Sequence, residues 1–72
     1  MKLHYFPDTD TLSISLLDEP SVESEEIADD VVVDFAADGR VVAIDIDHAS
    51  VKVDLSEIET HRLPIALTRA TA

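Results

Sequence analysis

Val31-Val32-Val33-Asp34-Phe35, Ala36-Ala37-Asp38-Gly39-Arg40 and Val41-Val42-Ala43-Ile44-Asp45-Ile46-Asp47 form one unbroken stretch whose reading decides the fold. Two β-branched runs flank Asp38-Gly39, and glycine accepts the positive φ of a tight turn, so the stretch predicts a β-hairpin. Side-chain pattern then sets the register. With an even loop, either Asp38-Gly39 alone or Ala37 through Arg40, Phe35 faces Val42, Val33 faces Ile44 and Val31 faces Ile46, all apolar and on one side. An odd loop with a glycine bulge sets Val31 against Asp45 and Val33 against Ala43. Since a slip of one residue moves every side chain to the other face, the even loop is expected.

Upstream, the same two-residue period recurs. Lys2-Leu3-His4-Tyr5-Phe6 places Leu3 and Tyr5 on one face and His4 and Phe6 on the other, and Pro7 then stops ladder pairing. Pro7-Asp8-Thr9-Asp10-Thr11 is turn chemistry. Thr11-Leu12-Ser13-Ile14-Ser15-Leu16 alternates cleanly, with Leu12, Ile14 and Leu16 inward, so the first two strands form a second hairpin. After the turn Asp18-Glu19-Pro20-Ser21, Val22 to Ile27 reads as a weaker, Glu-rich strand suited to an exposed edge. Beyond His48 two readings stay open. Val51, Val53 and Leu55 keep the strand period, whereas Asp54-Leu55-Ser56-Glu57 resembles a helix start with Asp54 as N-cap. Pro64 interrupts any continuing helix, and Ile65-Ala66-Leu67-Thr68 reads as a last strand or a frayed tail. The expected fold is mainly β, a small antiparallel β-meander of four to five strands with a short C-terminal helix or helical turn. It is a single domain over residues 1–72, with no internal repeat or linker.

Sixteen Asp plus Glu against five Lys plus Arg give a formal net charge of −11 over 72 residues, of which 46% are hydrophobic. That is too apolar for a disordered acidic tail. It is also too negative for direct DNA or RNA binding, which depends on Lys and Arg at phosphates. The same charge disfavours anionic lipid surfaces, and no apolar run approaches the roughly 20 residues of a membrane span. The N-terminal residues lack the pattern of a signal peptide, so the expected compartment is the cytoplasm. There are no cysteines, so no disulfide or thiolate metal site stabilises a domain that buries only about 60% of its unfolded surface. Oligomerisation is a common remedy.

Several chemistries fail on spacing. Asp8-Thr9-Asp10 begins like a calcium loop, but Leu12 stands at its fifth position and no Gly follows. Ser13 and Ser15 have no nucleophile elbow around them. A single Gly in the chain excludes a glycine-rich phosphate loop. His4, His48 and His61 show no metal-ligand spacing. Asp45 and Asp47 are more informative, because they share a strand face about 7 Å apart, with His48 adjacent and Asp34 outward on the neighbouring strand. Asp34, Asp45, Asp47 and His48 therefore form the candidate acidic interaction face. Like charges gathered there cost stability unless a cation or basic partner is near. A divalent cation at Asp45, Asp47 and His48 is one alternative; a plain solvated face is the other.

The order Tyr5-x-Pro7-Asp8-x-Asp10-x-Leu12-x-Ile14-x-Leu16, then Glu26-Ile27-Ala28-Asp29-Asp30-Val31-Val32-Val33-Asp34-Phe35, then Asp38-Gly39-Arg40-Val41-Val42-Ala43-Ile44-Asp45-Ile46 and finally Ala49-Ser50 resembles the domain of unknown function 2283 family, DUF2283, over roughly residues 2–50. Two departures stand out: Phe6 where an Asp is usual, and Ala28-Asp29 where a small turn with Gly is common. The resemblance implies a small prokaryotic β-rich protein and brings no catalytic residues or cofactors. It also implies an antitoxin-like role as one option, since some members lie beside small basic toxin-like proteins.

The expected function is thus non-enzymatic: a protein-interaction module whose acidic face binds a basic protein partner. A self-associating homodimer, whose apolar sheet face is completed by another copy, is the second reading, because Leu12, Ile14, Leu16, Val33, Phe35, Ile44 and Ile46 need a cover. A divalent-metal-binding protein is the third. No catalytic residue, metal or cofactor is assigned.

Overall fold

The structure, a computed structural model, describes residues 1–64. Five antiparallel strands, β1 (Lys2–Phe6), β2 (Thr11–Ser15), β3 (Glu23–Ala28), β4 (Val31–Phe35) and β5 (Val41–Ile46), precede one helical turn, α1 (Ala49–Lys52). They form one open sheet in the order β1-β2-β5-β4-β3, the mainly β architecture that the alternation predicts, followed by the short helical turn expected after it. The three strands β3, β4 and β5 form a meander. The segment after β2 then closes a Greek key, running along one end of the sheet so that β2 lies beside β5.

Three backbone hydrogen bonds hold that crossing. The N–H groups of Leu16 and Leu17 both donate to the Val42 carbonyl at 2.7 and 3.2 Å, and Val22 donates to the Phe35 carbonyl at 2.8 Å. Arg40 adds a side-chain tie, donating to both carboxylate oxygens of Glu19 at 2.6 and 2.7 Å and, through Nε, to Asp38 at 2.7 Å. These contacts raise the Arg40 pKa, Glu19 contributing most. The Arg40 N–H and side chain in turn lower that of Asp38.

The central hairpin has the expected inner register by an unexpected route. Val31 pairs with Ile46 and Val33 with Ile44. The loop between β4 and β5 nevertheless runs 36–40, an odd length, closed by Ala36 N–H to the Arg40 carbonyl at 2.9 Å and Gly39 N–H to the Ala36 carbonyl at 3.0 Å. Gly39 sits at φ 90°, as the turn requires. Left alone, that loop would set Val31 against Asp45. A β-bulge between Asp34 and Phe35 on the ladder, where Phe35 pairs with Val41 and not with the expected Val42, inserts one residue and restores the apolar register. Val42, the extra residue, is buried and offers its carbonyl to the segment leaving β2.

Downstream of β5 the expected helical turn is present, but as α1 at Ala49–Lys52 and not from Asp54. Val51 lies in α1 rather than in a strand. Asp54 starts no helix: its carboxylate accepts from the backbone N–H of Ser56 at 2.9 Å and from the Ser56 hydroxyl, an Asx turn. Those bonds lower the Asp54 pKa, the hydroxyl being the larger cause. The expected element at Ile65 to Thr68 falls outside the described residues.

Only Val33, Ala36, Val42 and Ala49 form a buried apolar core among the described residues. The reason is architectural. Among the described residues one sheet and one helical turn make no second layer, so Ile14 and Ile44 on one face are half-buried, and so are Ser13 and Asp45 on the other.

Candidate interaction faces

Residues directly opposite one another in adjacent strands point to the same face, so the ladders assign every side chain. One face carries the rows Leu3, Ile14, Ile44, Val33 and Glu25, and Tyr5, Leu12, Ile46 and Val31. The other carries His4, Ser13, Asp45, Val32 and Glu26, and Lys2, Ser15, Ala43, Asp34 and Ser24. The first is apolar until it meets the β3 edge, where Glu25 and Glu23 stand. The second alternates short hydroxyls with carboxylates.

Three of the four residues singled out in the sequence meet on this second face. Asp34 projects from β4 and accepts a hydrogen bond from the Ser24 hydroxyl at 2.6 Å. Asp45 sits half-buried between Ser13 and Val32 on the neighbouring strands. Asp34 and Asp45 are diagonal neighbours, about 7–8 Å apart by sheet geometry. Asp47, just past β5, accepts from the Thr11 hydroxyl at 2.9 Å, which keeps it on the side of Thr11. The hydroxyls of Thr11 and Ser24 thus serve as local donors to carboxylates that, among the described residues, make no ion pair.

His48 goes elsewhere. It adopts the left-handed conformation at φ 54°, and its Nδ1 lies 3.0 Å from the carboxylate of Asp30, which is also 3.8 Å from the Lys52 ammonium. Asp30 itself is left-handed at φ 65°, in the β3–β4 turn; Asp tolerates this region better than most side chains. Its carbonyl accepts the Asp47 N–H at 2.8 Å. The imidazole is therefore committed to Asp30 and does not join Asp45 and Asp47. Among the described residues, no three His, Cys, Asp or Glu side chains are placed to hold a metal ion.

Asp10, which the sequence marks only as a turn residue, holds the chain end of the sheet together. At φ 54° its carboxylate accepts from the Tyr5 hydroxyl at 2.7 Å, the Ser50 hydroxyl at 2.7 Å and the Ser50 N–H at 3.1 Å, while its carbonyl accepts from Ala49 N–H at 2.9 Å. Ser50 above all, then Tyr5, lowers the Asp10 pKa, and the bond to Asp10 raises that of Tyr5. Ala49 is completely buried beneath this knot. Asp10 and Asp30 thus grip the turn 47–52 from either side. A concavity of about 200 Å³ lies at the opposite end, lined by Glu19, Pro20, Val22, Ala36, Ala37 and Asp38. It is smaller than the roughly 300–1,000 Å³ of ordinary ligand pockets. No helix of the described residues is long and apolar enough to cross a membrane.

A family model described as a protein of unknown function, DUF2283, matches residues 2–50. The matched span ends at Ser50, so Tyr5, Asp10, Ala49 and Ser50, scattered through it in sequence, are the residues the knot brings together. No curated protein and no solved structure matches the chain.

Proposed function

The chain belongs to the DUF2283 family, whose members carry no assigned activity, and from the character of its surface we propose that it is a non-enzymatic interaction module whose acidic face receives a basic protein partner. The observation that carries this reading is the placement of Asp34, Asp45 and Asp47 on one open sheet face of a chain with net charge −11. A flat face of short hydroxyls and carboxylates meets a cationic surface without steric reorganisation. The field of the whole molecule steers such a partner in and turns polyanions away. An antitoxin-like role, with a small basic toxin as the partner, is the specific form of this proposal that the family likeness favours.

The test is a pull-down from the native cell using the intact chain, at low and at moderate salt, beside the double variant Asp34→Asn/Asp45→Asn. The expected result is a basic protein recovered at low salt, less at moderate salt, and markedly less with the double variant. Recovery of no basic protein at either salt, or equal recovery with the variant, sinks the proposal.

A further inference from the structure

Among many acidic residues and a single glycine, the chain holds one Asp-Gly step, Asp38-Gly39. Every other aspartate is followed by a residue whose side chain hinders attack of the next amide nitrogen on the aspartate carboxyl group. At Asp38-Gly39 that hindrance is gone. A Cβ placed on Gly39 would meet nothing within 4 Å, so a ring closed on the Gly39 nitrogen has open space around it. The step lies in the β4–β5 loop, where the Asp38 side chain is 55% exposed and borders the concavity shared with Glu19 and Pro20. Water reaches it freely.

We propose that Asp38-Gly39 is a site of spontaneous isomerisation to isoaspartate, and that Arg40 guards it in the folded chain. In the first step the Gly39 amide nitrogen bonds to the side-chain carboxyl carbon of neutral Asp38, and the carboxyl hydroxyl leaves as water with the amide hydrogen. The product is a succinimide ring. Water then adds at the former main-chain carbonyl of Asp38 and breaks its bond to the Gly39 nitrogen, so the water lost is regained and nothing is oxidised or reduced. The fold opposes the first step. The Asp38 carboxylate accepts from the Arg40 N–H at 3.1 Å and from Arg40 Nε at 2.7 Å, and Arg40 is itself anchored on both carboxylate oxygens of Glu19. The Gly39 N–H donates to the Ala36 carbonyl at 3.0 Å, which pins the attacking nitrogen in the turn. The Arg40 contacts, its backbone N–H first, also lower the Asp38 pKa and hold the carboxyl in its ionised form, the poorer electrophile. Isomerisation leaves mass and net charge unchanged. It routes the main chain through the Asp38 side-chain carbon, adding one methylene to a loop whose length, offset by the bulge, sets β4 against β5. None of these residues belongs to the Asp34, Asp45 and Asp47 face, so this inference is independent of the basic-partner reading.

The test ages the intact chain at neutral pH, folded in buffer and unfolded in urea, and reads isoaspartate by enzymatic methyl labelling, with peptide mapping to place it. The expected result is isoaspartate at residue 38, formed severalfold faster in urea than in the folded chain. Folded Arg40→Gln should form it about two- to fivefold faster than folded wild type, the range that loss of an exposed ion pair gives. Val33→Ala, which weakens the core without touching the loop, should age at the wild-type rate. No isoaspartate at residue 38 in urea, or equal rates folded and unfolded, overturns the proposal. So does Arg40→Gln ageing at the wild-type rate, or Val33→Ala gaining as much as Arg40→Gln, since the reaction then runs through global unfolding and Arg40 guards nothing. If Arg40→Gln fails to fold by circular dichroism, Glu19→Gln takes its place. It frees Arg40 from its anchor and should also speed the folded reaction; an unchanged rate overturns the guard.

Discussion

Shortening Val33 to alanine is the sharpest test of where this sheet keeps its core. Val33 is 5% exposed and pairs with Ile44 on one side and Glu25 on the other. Removing two carbons loses about 1.6 kcal/mol of transfer free energy at about 0.8 kcal/mol per buried carbon. A partly unfilled cavity adds on the order of 0.5–1 kcal/mol. The expected loss is therefore about 2 kcal/mol, a large share of the roughly 3–5 kcal/mol that a core in a domain this small supplies. In urea, with a slope near 1 kcal/mol/M for so short a chain, the midpoint should fall by about 2 M. The companion change Val32→Ala, one residue away on the half-buried acidic face, should cost less than half as much. Both are measured by circular dichroism at one protein concentration, because a dimer would make the midpoint concentration-dependent. Equal losses for the two variants, or a larger loss for Val32→Ala, would refute the assignment of the core to the Val33 face.

Gly39→Ala should destabilise by about 1 kcal/mol, with the same urea measurement as the check. A Cβ at Gly39 meets nothing within 4 Å, so the cost is the strain of φ 90° alone, and an unchanged midpoint would mean the loop relaxes. Acid should unfold the protein through Asp10, Asp38 and Asp54. Their folded pKa values lie below the ordinary 3.8, so their stabilisation is present above that value and is lost as pH falls through the folded values. Asp10→Asn should lower stability at neutral pH and flatten the acid limb of a pH titration of the thermal midpoint; an unaltered limb would exclude Asp10 as a contributor. Tyr5 runs the other way, with a folded pKa above 10.0. Its contribution is present below that value and lost as pH rises through the folded one, and Tyr5→Phe should remove that alkaline component.

The candidate site was partly legible for a simple reason. Alternation of Ile44, Asp45, Ile46 and Asp47 fixes which side chains share a face as soon as the stretch is a strand, so the grouping of Asp34, Asp45 and Asp47 needs only the hairpin. His48 escaped because one left-handed residue turns the chain away from the strand direction, and nothing local announces that its partner is Asp30. Asp10 escaped for the same kind of reason. A turn aspartate and a serine 40 residues later become partners only when β2 lies beside β5. The family likeness, which ends at Ala49-Ser50, was the one signal that could have joined them.

By itself the sequence determined the strands, the apolar and acidic faces and the pairing of Val31 with Ile46 and Val33 with Ile44, because those follow from a two-residue period and the cost of burying carboxylates. Tertiary structure decided the bulge at Val42, the order that seats β2 against β5, the α1 turn in place of a strand, and the Asp10 and Asp30 grips. Each depends on backbone groups finding partners far along the chain. Local pattern says which face a side chain takes, and only the assembled sheet says which distant N–H or carbonyl it meets.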